Sequence, residues 1–131
     1  MDNLGKLILR LTVGGLLLLH GVHKLLDGID PIKHMLAAHG LPDVLAYGVY
    51  LGEVLGPLLI ILGLFSRIGA ILIVIDMIVA IFLARMGDLI ALTGSGAYGL
   101  ETETFFLFGA VAVFFLGAGS LSIGGGRGRW N

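Results

Sequence analysis

Cysteine is absent from this chain and charge is scarce. The sequence has 131 residues, no cysteine and only three prolines. Without cysteine the chain forms no disulfide, performs no thiolate catalysis and supplies no thiolate to an iron–sulfur cluster. Charged residues make up 13% of the sequence, against about 25% in a soluble domain. The net charge of −1 and the lack of a basic run argue against a nucleic-acid partner.

Apolar residues and glycine dominate what is there. The apolar fraction is 57%, mean hydropathy is +1.04 and glycine occurs 22 times, a composition typical of helices packed closely in lipid. We predict one all-α domain over residues 1–131, an antiparallel four-helix bundle with a short interfacial helix between the first two crossings. The predicted segments are helices at about 4–26, 44–65, 67–86 and 101–116, followed by a flexible tail at 117–131.

The connector between the first two crossings predicts a short helix on the membrane surface. Asp30 can cap it and Pro31 suits its first turn. His34 and His39 fall here without a third partner at ligand spacing, so we interpret them as solvated side chains and expect no metal site.

The first crossing carries polar residues on one helical face. An ionisable side chain within a membrane normally faces a bundle interior or a wet cavity, although Arg10 lies near enough to the helix start to snorkel to the interface. No small-residue cleavage site follows this run, so we expect no cleavable signal. The face consists of Arg10, Gly14, Leu17, His20, Gly21 and Lys24.

Two acids lie in the middle of later crossings. Glu53 is in the second, beside glycines four residues apart at positions 48, 52 and 56, and Asp76 is in the third. Pro57 follows Glu53 by one turn and can kink the helix. A charged Asp at a helix centre costs about 2.5–3.5 kcal/mol on insertion scales. We therefore expect each acid to be paired, protonated or hydrated.

The candidate site combines His20, Lys24 and Glu53, because helix one ends in the half of the membrane where helix two begins. Two readings stay open. One is a buried ion-pair network that locks the helices together. The other is a quinone or proton site, in which His20 and Glu53 are catalytic, donating to the quinone and relaying protons, and Lys24 and Tyr50 also bind the ligand. Structural or proton-network roles are assigned to Arg10, Asp76, Arg85, Glu101 and Glu103.

Other membrane functions fit less well. Haem ligation needs two histidines from facing helices, yet the later three crossings contain none, and His20 and His23 share one helix. A transporter is possible, with Glu53, Asp76 and Arg85 along a path, but four helices are too few for inverted repeats without oligomerisation.

Several motifs resemble those of the DoxX family, in order and at compatible spacing. They are His20-Gly21-Val22-His23-Lys24-Leu25, Glu53-Val54-Leu55-Gly56, Leu62-Gly63-Leu64-Phe65-Ser66-Arg67 and Gly117-Ala118-Gly119-Ser120-Leu121-Ser122. Ala118 replaces the proline of the family's terminal signature, Gly124 stands where an acid often follows, and Asp76 is not part of the family pattern.

The resemblance implies a four-helix membrane protein, and some members are similar to subunits of thiosulfate:quinone oxidoreductase. We therefore predict a quinone-interacting subunit of a membrane redox assembly, working with a partner redox protein or as a homo-oligomer. The alternatives are a non-enzymatic adaptor or assembly factor and, less well supported, a small transporter.

Lysine and arginine are distributed unevenly between the two predicted sides. Lys6, Arg10, Arg67, Arg127 and Arg129 share one side, against Lys24, Lys33 and Arg85 on the other. Because the side richer in these residues faces the cytoplasm, we expect an inner-membrane protein with both termini cytoplasmic.

Overall fold

The computed structural model describes residues 1–84 and 100–131, and these ranges contain helices and no strand. The all-α prediction is thus confirmed for the described chain. Arg85 and most of the loop before the last helix lie outside the described residues. The elements are α1 (Asp2–Asp27), α2 (Asp30–Ala38), a 3₁₀ turn (Asp43–Gly48), a π-helical turn (Leu51–Leu55), α3 (Gly56–Leu62), α4 (Ser66–Ala84) and α5 (Glu101–Leu116).

Three of these stretches are long and apolar enough to cross a membrane. They are Asp2–Asp27, Asp43–Leu62 and Ser66–Leu83, with 26, 20 and 18 residues. A hydrocarbon core of about 30 Å needs about 20 helical residues. The second stretch is composite, because it runs through the 3₁₀ turn, the π-helical turn and α3. With 16 residues, α5 is shorter than the other three.

The apolar core is formed where α1, α3, α4 and α5 meet. Many large apolar side chains instead point outward, including Leu19, Phe105 and Phe115, which are 67%, 76% and 74% exposed. Such a surface suits lipid and would be a liability in water. The core side chains are Val13, Leu17, Ile60, Ala70, Ile73, Met77, Phe106, Ala110 and Val113.

Glycines bring the helix backbones into direct contact. A Cβ placed on Gly56 would lie 3.0 Å from the Gly69 carbonyl oxygen, and one on Gly69 would lie 2.8 Å from that of Gly56. These two residues therefore mark the point where the composite span and α4 cross. Of the three glycines in the predicted ridge, Gly56 contacts the α4 backbone and Gly52 contacts the Asp76 side chain, whereas a Cβ at Gly48, in the 3₁₀ turn, meets nothing within 4 Å.

A second, smaller apolar cluster holds the connector in place. Ile29, Leu36 and Ala46 are buried together beneath α2 and the 3₁₀ turn, so the short helix predicted here is present. Lys33 donates a hydrogen bond to the Tyr47 hydroxyl at 3.3 Å, and this bond raises the pKa of Lys33.

The tail at 117–131 is folded onto the turn between α3 and α4, although its glycines predict flexibility. The Arg67 N–H donates to the Trp130 carbonyl at 2.9 Å, and the buried Ser66 hydroxyl donates to Asn131 Oδ1 at 3.1 Å. Gly124 N–H donates to the Gly63 carbonyl at 3.1 Å. Glycines with positive φ allow the chain to reverse direction here rather than extend.

We predict that Gly21→Ala destabilises the protein, whereas Gly15→Ala on the same helix does not. A Cβ at Gly21 would collide with the Glu53 carbonyl and lie 2.9 Å from Val54 Cγ2, while a Cβ at Gly15 meets nothing within 4 Å. Both changes gain about 1 kcal/mol of helix propensity, so the difference in stability between the two variants reports packing alone. We expect Gly21→Ala to lose about 1–3 kcal/mol of stability from overpacking. Thermal unfolding in mild detergent measures it, and equal midpoints for the two variants would contradict the packing.

Candidate functional site

Pro57 shapes the backbone that presents Glu53. Proline has no N–H and its ring clashes with the carbonyl four residues earlier, which here belongs to Glu53. The chain widens into the π-helical turn instead, where the Gly56 N–H bonds to the Leu51 carbonyl five residues back. Such single turns occur often at functional sites. Here the turn places Glu53 inside the bundle, with its side chain 4% exposed.

Lys24 is the direct partner of Glu53. Its Nζ donates to both carboxylate oxygens, at 2.6 Å to Oε1 and 2.7 Å to Oε2. Lys24 lies in the last turn of α1, where a cation also complements the helix dipole. Its side chain is 30% exposed, so the ion pair is buried on the Glu53 side and open on the Lys24 side. The Tyr50 hydroxyl donates to the Lys24 carbonyl at 3.3 Å. Tyr50, which the sequence predicts as a ligand-binding residue, therefore lies next to this ion pair.

Asp76 completes the cluster from α4. Gly52 has no side chain, and the Cβ and carboxyl group of Asp76 occupy the space that one would fill. Because Gly52 directly precedes Glu53, the Asp76 carboxyl group lies against the π-helical turn that carries Glu53. Two buried acids with one cation favour a shared proton, since like charges that lie close together oppose the ionisation of both. A charged Lys24 and one such proton would make the Lys24–Glu53–Asp76 cluster neutral, which lowers the cost of burying two acids.

Asp76 retains one unused acceptor. Its Oδ2 is buried and has no hydrogen-bond partner within residues 1–84 and 100–131. A buried polar atom without a partner costs free energy. A hydrogen-bond donor that reached Asp76 Oδ2 would therefore be favoured.

His20 lies beside the cluster rather than in it. It is exposed on α1, and its ring meets the Phe106 ring of α5 edge-on, with centroids 5.8 Å apart. No hydrogen bond joins it to Glu53 in the described chain. One residue on a helix is a rotation of about 100°. Gly21 faces inward, and its neighbour His20 therefore reaches the edge of the bundle.

Arg10 is fully buried within the protein rather than extended toward its surface. Only 1% of it is exposed. Its guanidinium donates to the carbonyls of Ile60 at 2.8 Å and Ile61 at 3.3 Å, and to those of Ala118 and Leu121 in the tail. Carbonyls at the end of a helix lack intrahelical partners, so α3 and the tail satisfy this cation without a carboxylate. Arg10 is thus a structural clamp, roughly 21 Å along α1 from Lys24.

The remaining predicted residues are more dispersed. Glu101 and Glu103 lie in the first turn of α5, with Glu101 exposed, and Arg85 is outside the described residues. The packing of Asp76 against Gly52 is not predicted from the sequence, because the register between the two helices is not visible there. The sequence feature that points to Gly52 is its position next to Glu53.

A DoxX family model matches residues 5–86. The chain belongs to the DoxX family. The match confirms the resemblance seen in the sequence, and it includes Lys24, Glu53 and Asp76, while α5 and the tail lie beyond it.

Two bacterial proteins are similar to this DoxX chain. One, from Bacillus subtilis (strain 168), is named "Putative oxidoreductase CatD" and is 30% identical over 84 residues, which is 64% of this chain and 62% of that protein. The other is an uncharacterized protein of Haemophilus influenzae (strain ATCC 51907 / DSM 11121 / KW20 / Rd), 32% identical over 94% of this chain and 95% of its own length. No solved structure matches significantly.

We predict that Lys24→Leu costs more stability than the double change Lys24→Leu/Glu53→Leu. The single change leaves Glu53 buried without its cation, at an expected cost of about 3–5 kcal/mol, whereas the double change removes both charges. Glu53→Leu alone should cost less than Lys24→Leu, because Lys24 is 30% exposed and can turn toward water.

Denaturant titration of the detergent-solubilised protein measures the three free energies of unfolding. Lys33→Leu removes a lysine from the connector surface and is the matched control, expected to cost less than about 1 kcal/mol. A Lys24→Leu variant no less stable than the double variant would show that the ion pair does not hold the helices.

Proposed function

We propose that the protein is a quinone-interacting subunit of a membrane redox assembly, and that the Lys24–Glu53–Asp76 cluster is its quinone and proton site. The observation that carries the proposal is the meeting of Lys24, Glu53 and the Asp76 carboxyl group inside the bundle, with the Lys24 side chain 30% exposed at its surface. The name of the Bacillus relative points in the same direction. Intramembrane ionisable groups commonly mark proton or substrate pathways.

The chemistry follows from what these side chains can exchange. Reduction of a quinone consumes two electrons and two protons. The Lys24 ammonium is a hydrogen-bond donor for a carbonyl oxygen, and the Glu53 and Asp76 carboxyl groups can each take up and release a proton. Because the sequence has no cysteine and its four histidines lie on α1 and the connector, the electrons come from a partner protein.

A quinone ring would approach this site from the lipid. His20 lies one turn before Lys24 on the same face of α1, and it is exposed beside Phe106. We therefore assign His20 as a ligand contact at the membrane-facing edge and Glu53 as the proton-handling group. Two cavities lie near Arg67 at the opposite end. At the cluster itself Lys24 is 30% exposed, so the ring is expected at the lipid-facing surface.

We further propose that α5 is the fourth crossing of an antiparallel four-helix bundle in the inner membrane. Phe106, Ala110 and Val113 contribute to the same core as the three longer spans, which supports a crossing despite the 16 residues of α5. Lys6, Arg67 and Arg129 gather at the end formed by the tail, so the positive-inside rule places that end in the cytoplasm. Alkaline phosphatase fused after Asn131 should be inactive, and activity in the periplasm would reverse the orientation.

We predict saturable binding of a quinone analogue, weakened at least about tenfold by Glu53→Gln or His20→Ala, since each removes a polar contact of the proposed site. With no native cysteine, a fluorophore on Val22→Cys labels one exposed position beside the site. His34→Ala is the matched control, because His34 is exposed on α2 away from the cluster.

The circular dichroism spectrum of each variant at the temperature of the binding measurement must match that of the parent protein for this comparison to count. Unsaturable partitioning that no substitution changes would refute the quinone site. Co-purification of one specific partner in that case would favour the adaptor function.

A further inference from the structure

The end of the bundle opposite the carboxyl cluster carries cations that form no ion pair with the described residues. The ion pairs found among residues 1–84 and 100–131 are His23–Asp27 and Lys24–Glu53. Lys6, Arg67 and Arg129 therefore have no carboxylate within 4 Å in that part of the chain. Their shared end is thus a region of positive charge available to an anion.

Two cavities open there and share Arg67. One, of about 280 Å³, lies between the start of α1 and the glycine-rich tail, and it includes Lys6 and Asn3. The other, of about 250 Å³, is lined by Arg67, Phe114, Phe115, Arg129 and Trp130. We call this second cavity the Arg67 cleft. It joins two guanidinium groups to three aromatic rings, and Phe115 is 74% exposed on the outer face of α5.

The two arginines of the cleft are only partly used by the protein. The Arg67 side chain makes one hydrogen bond in the described chain, from Nη1 to the Arg129 carbonyl at 3.0 Å, and its Nε is buried without a partner. The Arg129 guanidinium lies 5.9 Å from the centre of the Trp130 ring. Both groups thus retain donors for an acceptor that the protein itself does not supply.

We propose that the Arg67 cleft binds the phosphodiester group of an anionic phospholipid. A guanidinium group can donate two parallel hydrogen bonds to the oxygens of one phosphate. Basic pockets beside membrane helices are suited to anionic headgroups. The aromatic side chains of the cleft favour a lipid over a free anion as the ligand. Phe114 and Phe115 offer apolar surface to the acyl chains, and Trp130 has the amphipathic ring that prefers the headgroup level. This site is independent of the proposed quinone chemistry.

Trp130 makes the site directly measurable, because it is the only tryptophan in the sequence. The full chain is reconstituted in vesicles that contain brominated phosphatidylglycerol or brominated phosphatidylcholine at equal mole fraction. Bromine quenches tryptophan on close approach. We expect stronger quenching by the anionic lipid, and an apparent preference that falls about fivefold in Arg129→Gln, the amount typical of one cation near an anionic surface.

Arg127→Gln is the matched control. Arg127 belongs to the same tail and carries the same charge, but it lines neither cavity, so its loss should leave the preference unchanged. Arg67→Gln should lower the preference as Arg129→Gln does. Arg129→Gln is the cleaner variant, because Arg67 binds the backbone carbonyl of residue 129 and that contact survives the change.

Three results would overturn the proposal. Equal quenching of the parent protein by the two lipids would remove the preference itself. A loss in Arg127→Gln as large as that in Arg129→Gln would assign the effect to diffuse charge. Abolition of the preference by inorganic phosphate, at an ionic strength matched with chloride, would assign the cleft to a free anion.

Discussion

The close approach of three backbones around Glu53 is the constraint on which the rest of the site depends. Gly21 allows α1 to touch the π-helical turn, and Gly52 leaves room for Asp76 of α4. Only with both contacts in place does Lys24 reach the Glu53 carboxylate at 2.6 Å while the Asp76 carboxyl group packs beside the same turn. The polar cluster is therefore a consequence of packing between small residues, which is how helices associate in lipid.

The bundle stabilises its buried ionisable groups in two different ways. Arg10 is surrounded by the free carbonyls of α3 and the tail, so its charge is fixed and all of its contacts are structural. Glu53 is held by the Lys24 cation and lies beside a second acid, Asp76, whose carboxyl group packs against Gly52. The Arg10 contacts join α1 to α3 and the tail at one end of the protein. The Lys24–Glu53–Asp76 cluster joins α1, the π-helical turn and α4 at the other end.

The spans and the partnership of Lys24 with Glu53 were accessible from the sequence, because hydropathy and helical periodicity act within one segment and depth is set by counting residues. The sequence does not reveal that Gly21 faces inward while His20 faces outward, because neighbouring helical residues differ by a rotation of only about 100°. The folded tail also escaped prediction. A high glycine content is found both in flexible linkers and in segments that turn tightly. The tail is folded because Ser66 and Arg67, which belong to another segment, form hydrogen bonds with it.

Photolabelling with a light-activated quinone in native membranes, with the labelled peptides identified by mass spectrometry, tests whether quinone binds at the carboxyl cluster. We expect label on the peptides that contain His20 to Lys24 and Tyr50 to Glu53, abolished by excess unlabelled quinone. Label that excess quinone does not displace, or label confined to the Arg67 end, would contradict a quinone site at the carboxyl cluster.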